Sequence, residues 1–166
     1  MFFQNVGSVE SYGAEFSGVW KPAVFRDVAY FNLNLTYNIA EFQDGFSTFA
    51  IAGNRLPDNA EWLAQAGVTV EPTPWLVANL SARYLSERFS NFTNSQEIGA
   101  YTVWNAYVDL GDGGDLGPLK GVKLRLNVDN IFDEDYLGTI NTTINTPATF
   151  RPGPDRTVQA TITGSF

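Results

Sequence analysis

From residue 29 to residue 39 apolar and polar positions alternate without a break. Ala29, Phe31, Leu33, Leu35, Tyr37 and Ile39 share one parity, and Tyr30, Asn32, Asn34, Thr36 and Asn38 the other. A period of two predicts a strand with two unlike faces, because a helix would scatter the same apolar set around its axis. Six further segments follow the rule: 9–20, 61–70, 75–87, 100–110, 121–131 and 156–166. Their apolar parities carry Tyr12, Ala14, Phe16 and Trp20; Trp62, Ala64, Ala66, Val68 and Val70; Leu76, Ala78, Leu80, Ala82 and Tyr84; Trp104, Ala106, Val108 and Leu110; Val122, Leu124, Leu126 and Val128; and Val158, Ala160, Ile162 and Phe166. The pattern predicts an all-β chain, an antiparallel up-and-down meander of about seven long strands.

The connections alternate as well. Short ones centre on Lys21-Pro22-Ala23, Glu71-Pro72-Thr73-Pro74 and Gly111-Asp112-Gly113-Gly114-Asp115, all built from tight-turn residues. Long ones cover 43–58, 90–99 and 134–154, with Gly53-Asn54-Arg55-Leu56-Pro57-Asp58 and Arg151-Pro152-Gly153-Pro154 as stiff elements. Successive connections of a meander fall at opposite ends, so the short turns share one rim and the long loops the other.

Composition then removes whole classes of function. The 166 residues contain no cysteine and no histidine, which excludes disulfide frameworks, thiol nucleophiles, Cys/His zinc sites and imidazole-based catalysis. No metal or cofactor site is expected. Ten basic against eighteen acidic residues give a net charge of −8, unsuited to binding nucleic acid. No run approaches the roughly 20 apolar residues of a membrane-crossing helix, and residues 1–7 lack the pattern of an export signal. Aromatic residues nevertheless make up 14% of the chain.

Two architectures fit an alternating meander. In a soluble β-sandwich the apolar face packs inward, and such a domain could bind glycans through exposed aromatics. In an outer-membrane-type barrel the apolar face meets lipid and the polar face lines a lumen. The rim asymmetry favours the barrel, as do strands of about 11 residues, which at ~3.3 Å per residue and ~40° tilt span a ~25 Å apolar band. The aromatics agree: Trp20 and Phe166 near the short-turn rim, Tyr37, Phe42, Tyr84 and Phe89 near the long-loop rim, read as interface girdles. The lumen would then receive Asn32, Asn34, Gln65, Asn79, Arg83, Asn105, Asp109, Lys123, Arg125, Asn127 and Asp129. Arg83, Lys123 and Arg125 could hold an anion there, or pair with Asp109, Asp129 or Glu87. A carboxylate-pair enzyme built on Asp109 and Asp129 has no supporting motif.

Four stretches carry a family resemblance. Asn5-Val6-Gly7-Ser8-Val9-Glu10-Ser11-Tyr12-Gly13-Ala14-Glu15 is similar to an N-x-G…G-x-E strand entry, and Gly53-Asn54-Arg55-Leu56-Pro57 with Glu61-Trp62 to a loop before a late barrel strand. Asn127, Asn130, Ile131, Phe132, Asp133 and Tyr136 match the penultimate-strand motif N-x-x-N-(L/I)-F-D-x-x-Y, the most specific of the set. Pro152-Gly153-Pro154-Asp155-Arg156-Thr157 leads into a last strand ending in Phe166. Over nearly its whole length the chain thus resembles the carboxy-terminal part of a TonB-dependent outer-membrane receptor.

The resemblance implies a segment of a 22-stranded barrel in the outer membrane of a Gram-negative bacterium, facing outer-membrane lipid. It implies active import of a scarce nutrient, foremost a ferric siderophore, without enzymatic activity. The plug and upstream strands would be missing from residues 1–166, so that TonB acts only through that plug. An odd strand count makes the chain read as the last third of a receptor. Val158, Ala160, Ile162 and Phe166 would form the assembly signal for the barrel-insertion machinery, with Gly164 departing from the bulkier residue often found there. Loop position makes Arg55, Phe92, Tyr136 and Arg151 the candidate ligand contacts.

Overall fold

A computed structural model describes residues 8–45, 50–111, 114, 120–143 and 146–165, the side chain of Ser165 excepted. The elements are β1 (Val9–Trp20), a short 3-10 turn (Ala23–Phe25), β2 (Ala29–Phe42), β3 (Trp62–Thr73), β4 (Leu76–Leu85), β5 (Arg88–Phe89), β6 (Glu97–Ile98), β7 (Tyr101–Leu110), β8 (Lys120–Asp129), β9 (Leu137–Asn141), β10 (Thr149–Pro152) and β11 (Thr157–Ser165). One seven-stranded sheet runs in the order β1-β2-β3-β4-β7-β8-β11, each strand antiparallel to the next. The seven alternating segments are these seven strands. The small ribbons β5–β6 and β9–β10 rise within two of the long loops.

Register joins the separate apolar parities into one face. Phe16 stands opposite Leu35 and Trp20 opposite Phe31. Phe31 faces Val68, which faces Leu80, which faces Ala106. Val108 faces Leu126, and Leu126 faces Ala160. A one-residue slip at any pair would turn a whole strand over. Within the seven-stranded sheet the described register slips between Val70 and Thr73, which bracket Pro72, and between Thr163 and Ser165, which bracket Gly164. Gly13 serves the register directly, since a Cβ there would lie 2.2 Å from the Tyr37 carbonyl oxygen. Only glycine lets β1 and β2 approach so closely.

Among the described residues, no second layer covers the apolar face. Phe16 is 59% exposed and Ile162 73%, and Leu33, Leu80, Trp104, Leu126 and Val158 are exposed as well. This corrects the sandwich alternative, in which that face would form the core. It is the arrangement of a barrel wall facing lipid, and strands of 9 to 14 residues have the matching length. The opposite face carries the predicted polar set with its own bonding. Arg125 grips Asp109 with Nε–Oδ1 and Nη2–Oδ2 both at 2.6 Å, lies 4.5 Å from the Tyr107 ring, and so pairs with the first of the three expected carboxylates. Asn79 Nδ2 donates to Thr69 Oγ1 at 2.9 Å.

Burial concentrates at the long-loop rim. Ala60, Leu85, Tyr101 and Val103 form a small core with Tyr136 against it, and Ala40, Phe42, Ile51 and Ile140 are buried nearby. Two girdle assignments are corrected here. Phe42 is 2% exposed, with its ring 5.8 Å from that of Phe92, and the Phe89 ring lies 5.3 Å from the Arg55 guanidinium. Both rings build the loop layer. Tyr37 and Tyr84 keep the outward parity, and Tyr37 stacks on Trp62 at 4.6 Å. Phe166 lies outside the described residues.

Candidate functional site

The described parts of the loops 43–61, 86–100 and 130–156 pack into one layer over the rim. The first folds back on β2: Gly53 N–H donates to the Phe42 carbonyl, Leu56 N–H to that of Ala40, and Arg55 bridges Glu41. Asn94 of the second loop supplies the missing strand edge with a single amide, its Oδ1 accepting from Arg55 N–H at 2.7 Å and its Nδ2 donating to the Arg55 carbonyl at 2.9 Å. Asn94 adopts φ 52°, a left-handed conformation that asparagine tolerates well. Asn54 Nδ2 donates to the Phe92 carbonyl at 2.8 Å.

Arg88 ties all three loops together. Its side chain is 3% exposed. Nη1 donates to Asp58 Oδ1 at 2.5 Å and to the Gly138 carbonyl at 3.2 Å, and Nη2 to the Leu137 carbonyl at 2.6 Å. Asp58 returns the link by accepting from Ile140 N–H at 3.2 Å. Thr142 Oγ1 adds a donation to the Ser90 carbonyl at 2.8 Å. A planar guanidinium suits this post, because its fork satisfies a carboxylate and two carbonyls at fixed angles.

The penultimate-strand motif closes the third loop. Asn130 is 2% exposed, takes φ 54° and ends β8. Its Nδ2 donates to the Glu134 and Pro154 carbonyls at 3.0 and 3.1 Å, and its Oδ1 accepts from Glu134 N–H at 2.9 Å. Asp133 Oδ1 accepts from Arg156 N–H at 2.8 Å. Phe132 points outward, edge-on to Trp104 at 6.2 Å. Tyr136 turns inward onto Tyr101, ring centroids 4.4 Å apart, and rests on Gly153, where any Cβ would sit 2.0 Å from the ring. Burial, with Tyr101 adding to it and Arg83 opposing, raises the Tyr136 phenol above its ordinary pKa. Asn127 lies on the inner face and donates to Asp129 at 3.1 Å.

Between the second and third loops lies an open cavity of about 470 Å³, lined by Tyr101, Tyr136, Leu137 and Gly153 together with Glu97 and Asp155. Of the candidate ligand contacts, only Tyr136 lines it. Arg55 is engaged inside the layer, 3.3 Å from Glu61 and within 3.5 Å of the Glu87 carbonyl. Phe92 is packed on Phe42, and Arg151 stands exposed on β10 opposite Thr139. Val158, Ala160 and Ile162 point outward from β11, whose one partner among the described residues is β8. Sequence reasoning missed Asp58, Arg88 and Asn94 as loop fasteners. Arg88 and Asp58 are 30 residues apart, and no spacing rule connects them.

An uncovered apolar face, a polar face with paired charge and a packed layer of long loops at one rim define the wall of an outer-membrane-type β-barrel. The family model for the TonB dependent receptor-like β-barrel matches residues 1–131, and the chain belongs to that family. It is 27% identical to the ferrioxamine receptor of Yersinia enterocolitica over 176 residues, covering 99% of this chain and 22% of the receptor. The ferric citrate transporter FecA in its unliganded form superposes with a TM-score of 0.77 at 20% identity, over 92% of this chain and 23% of FecA. The ferric yersiniabactin uptake receptor FyuA of Yersinia pestis gives 0.75 at 20% identity, over 98% and 24%. The chain therefore spans less than a quarter of the length of the relatives it matches.

Proposed function

We propose that residues 1–166 form the carboxy-terminal segment of the barrel of a TonB-dependent receptor that takes up a ferric siderophore across the outer membrane of a Gram-negative bacterium. The single observation that carries this reading is the loop layer, which sets an aromatic-floored cavity at the mouth of a lipid-facing wall. The names of its relatives supply the ligand class, all of them receptors or transporters for chelated iron. In this reading the segment contributes wall and outer loops and catalyses nothing. Transport energy comes through TonB acting on a plug outside these residues. The barrel-insertion machinery recognises the last strand through Val158, Ala160, Ile162 and Phe166; supporting this, the first three point outward from β11, and among the described residues β11 pairs with β8 on one edge, leaving the other for strand addition. Tyr136 and Arg151 are the loop residues best placed to meet ligand, with Arg55 and Phe92 supporting the layer from within.

The test is uptake. In an iron-starved Gram-negative strain lacking its own ferrioxamine receptor, a whole receptor carrying these residues should restore uptake of radiolabelled ferrioxamine, and removal of TonB should abolish it. The chain expressed alone should give none. Uptake by the chain alone, or uptake indifferent to TonB, would overturn the reading.

A further inference from the structure

Arg88 does not line the cavity, yet it holds two of its walls. The Leu137 carbonyl receives the 2.6 Å bond from Nη2, and the guanidinium carbon lies 5.8 Å from the centre of the Tyr101 ring. Tyr101 in turn supports Tyr136 at 4.4 Å, and Gly153 leaves the space that the Tyr136 ring fills. Leu137, Tyr101, Tyr136 and Gly153 all line the cavity. The carboxylate of Asp58 holds the guanidinium from the first loop, behind the cavity between loops two and three.

We propose that Arg88 is a positioning residue, setting through Leu137 and Tyr101 how closely a ferric chelate seats on the Tyr101–Tyr136 pair. This rests on the reading of the chain as the wall of an iron-chelate receptor. The discriminating variant is Arg88→Lys. It keeps a positive charge beside Asp58, but a single ammonium cannot span the carboxylate and both carbonyls.

Two readouts decide it. In the whole receptor, Arg88→Lys raises the ferrioxamine concentration for half-maximal uptake by about tenfold, the scale of one lost charge-assisted hydrogen bond. Maximal uptake per receptor stays within about twofold. A merely structural role does the reverse, lowering the maximum at unchanged half-saturation, and that result overturns the proposal. The second readout needs no ligand. Residues 1–166 have no cysteine, so in a receptor whose other cysteines are replaced, spin labels at Glu97→Cys and Asp155→Cys report the width between the cavity's two loops. Their distance distribution should broaden in Arg88→Lys, while a control pair at Gln43→Cys and Thr93→Cys, beside the Phe42–Phe92 contact, stays narrow. An unchanged Glu97–Asp155 distance overturns the proposal, and so does equal broadening of both pairs, which marks general loosening. If the unsubstituted receptor takes up no ferrioxamine, that ligand assignment fails and the label distances alone decide the role of Arg88.

Discussion

Asp58→Ala is expected to destabilise the loop layer by about 3 kcal/mol, the lower part of the range for removing one partner of a buried ion pair. The guanidinium of Arg88 stays buried and charged at 3% side-chain exposure, while its carboxylate partner disappears. The two carbonyls of Leu137 and Gly138 remain and moderate the loss, as does the 30% exposure of the Asp58 side chain. Ile140 N–H also loses its acceptor. A further contribution is local: Asp58 sits at φ 59°, a conformation that costs alanine about 1 kcal/mol more than aspartate or asparagine. Asp58→Asn separates these effects in part, since it keeps the backbone tolerance and one acceptor oxygen while removing the charge and replacing the second acceptor, which now serves Arg88 or Ile140 N–H, with an amide donor. Amide exchange at Ile140, followed through a urea titration of the folded protein, should accelerate most in the alanine variant and by an intermediate amount in the asparagine variant. Equal protection in all three proteins would show that the pair does not hold the loops.

Asn130→Ala is expected to cost about 3 to 4 kcal/mol, through three side-chain hydrogen bonds lost at a buried site and a left-handed backbone that alanine resists. Those bonds join the start of the third loop at Glu134 to its end at Pro154, so their loss opens the loop at its base. Asn130→Gly accepts φ 54° without strain and should recover about 1 kcal/mol of the loss. The two variants thus report backbone and side chain apart. Limited proteolysis within 130–156 should be fast for alanine, slower for glycine and slowest for the natural protein. Identical cleavage of alanine and glycine variants would remove the backbone contribution, and natural-like resistance in both would remove the clamp.

The wall was legible because its signal is redundant. Alternation, strand length and the short–long rhythm of the connections each point to the same sheet, and the register confirms the shared parity of Phe16, Leu35, Ala64 and Tyr84. The loop layer was not, because its fasteners are single contacts between residues far apart in sequence. Two-residue strands such as Arg88–Phe89 and Glu97–Ile98 are too short to show a period. One signal was present and went unused. Toward the long loops both parities turn apolar, at Leu63, Leu85, Tyr101 and Val103, and Phe42 falls on the inner parity of β2. A lumen-facing strand end needs apolar side chains only where something covers it, and here Ala60 and Tyr136 pack with Leu85, Tyr101 and Val103. The motif from Asn127 to Tyr136 identified the family by pattern. Its physical content, a buried amide clamp at Asn130 and a ring seated on Gly153, joins Asn130 to Pro154 and Tyr136 to Gly153, residues far apart in sequence, and shows only in the fold.

The central claim is that the apolar face meets lipid while the long loops face the cell exterior. Residues 1–166 carry no cysteine, so single substitutions here, in a membrane-inserted receptor whose remaining cysteines are replaced, test it on intact Gram-negative cells with a membrane-impermeant maleimide. Thr93→Cys in the loop layer should label rapidly. Val24→Cys at the short-turn rim should label only after the outer membrane is opened, and Leu80→Cys on the apolar face only after denaturation. Labelling of Val24→Cys as fast as Thr93→Cys on sealed cells, or labelling of Leu80→Cys in intact membranes, would contradict the account.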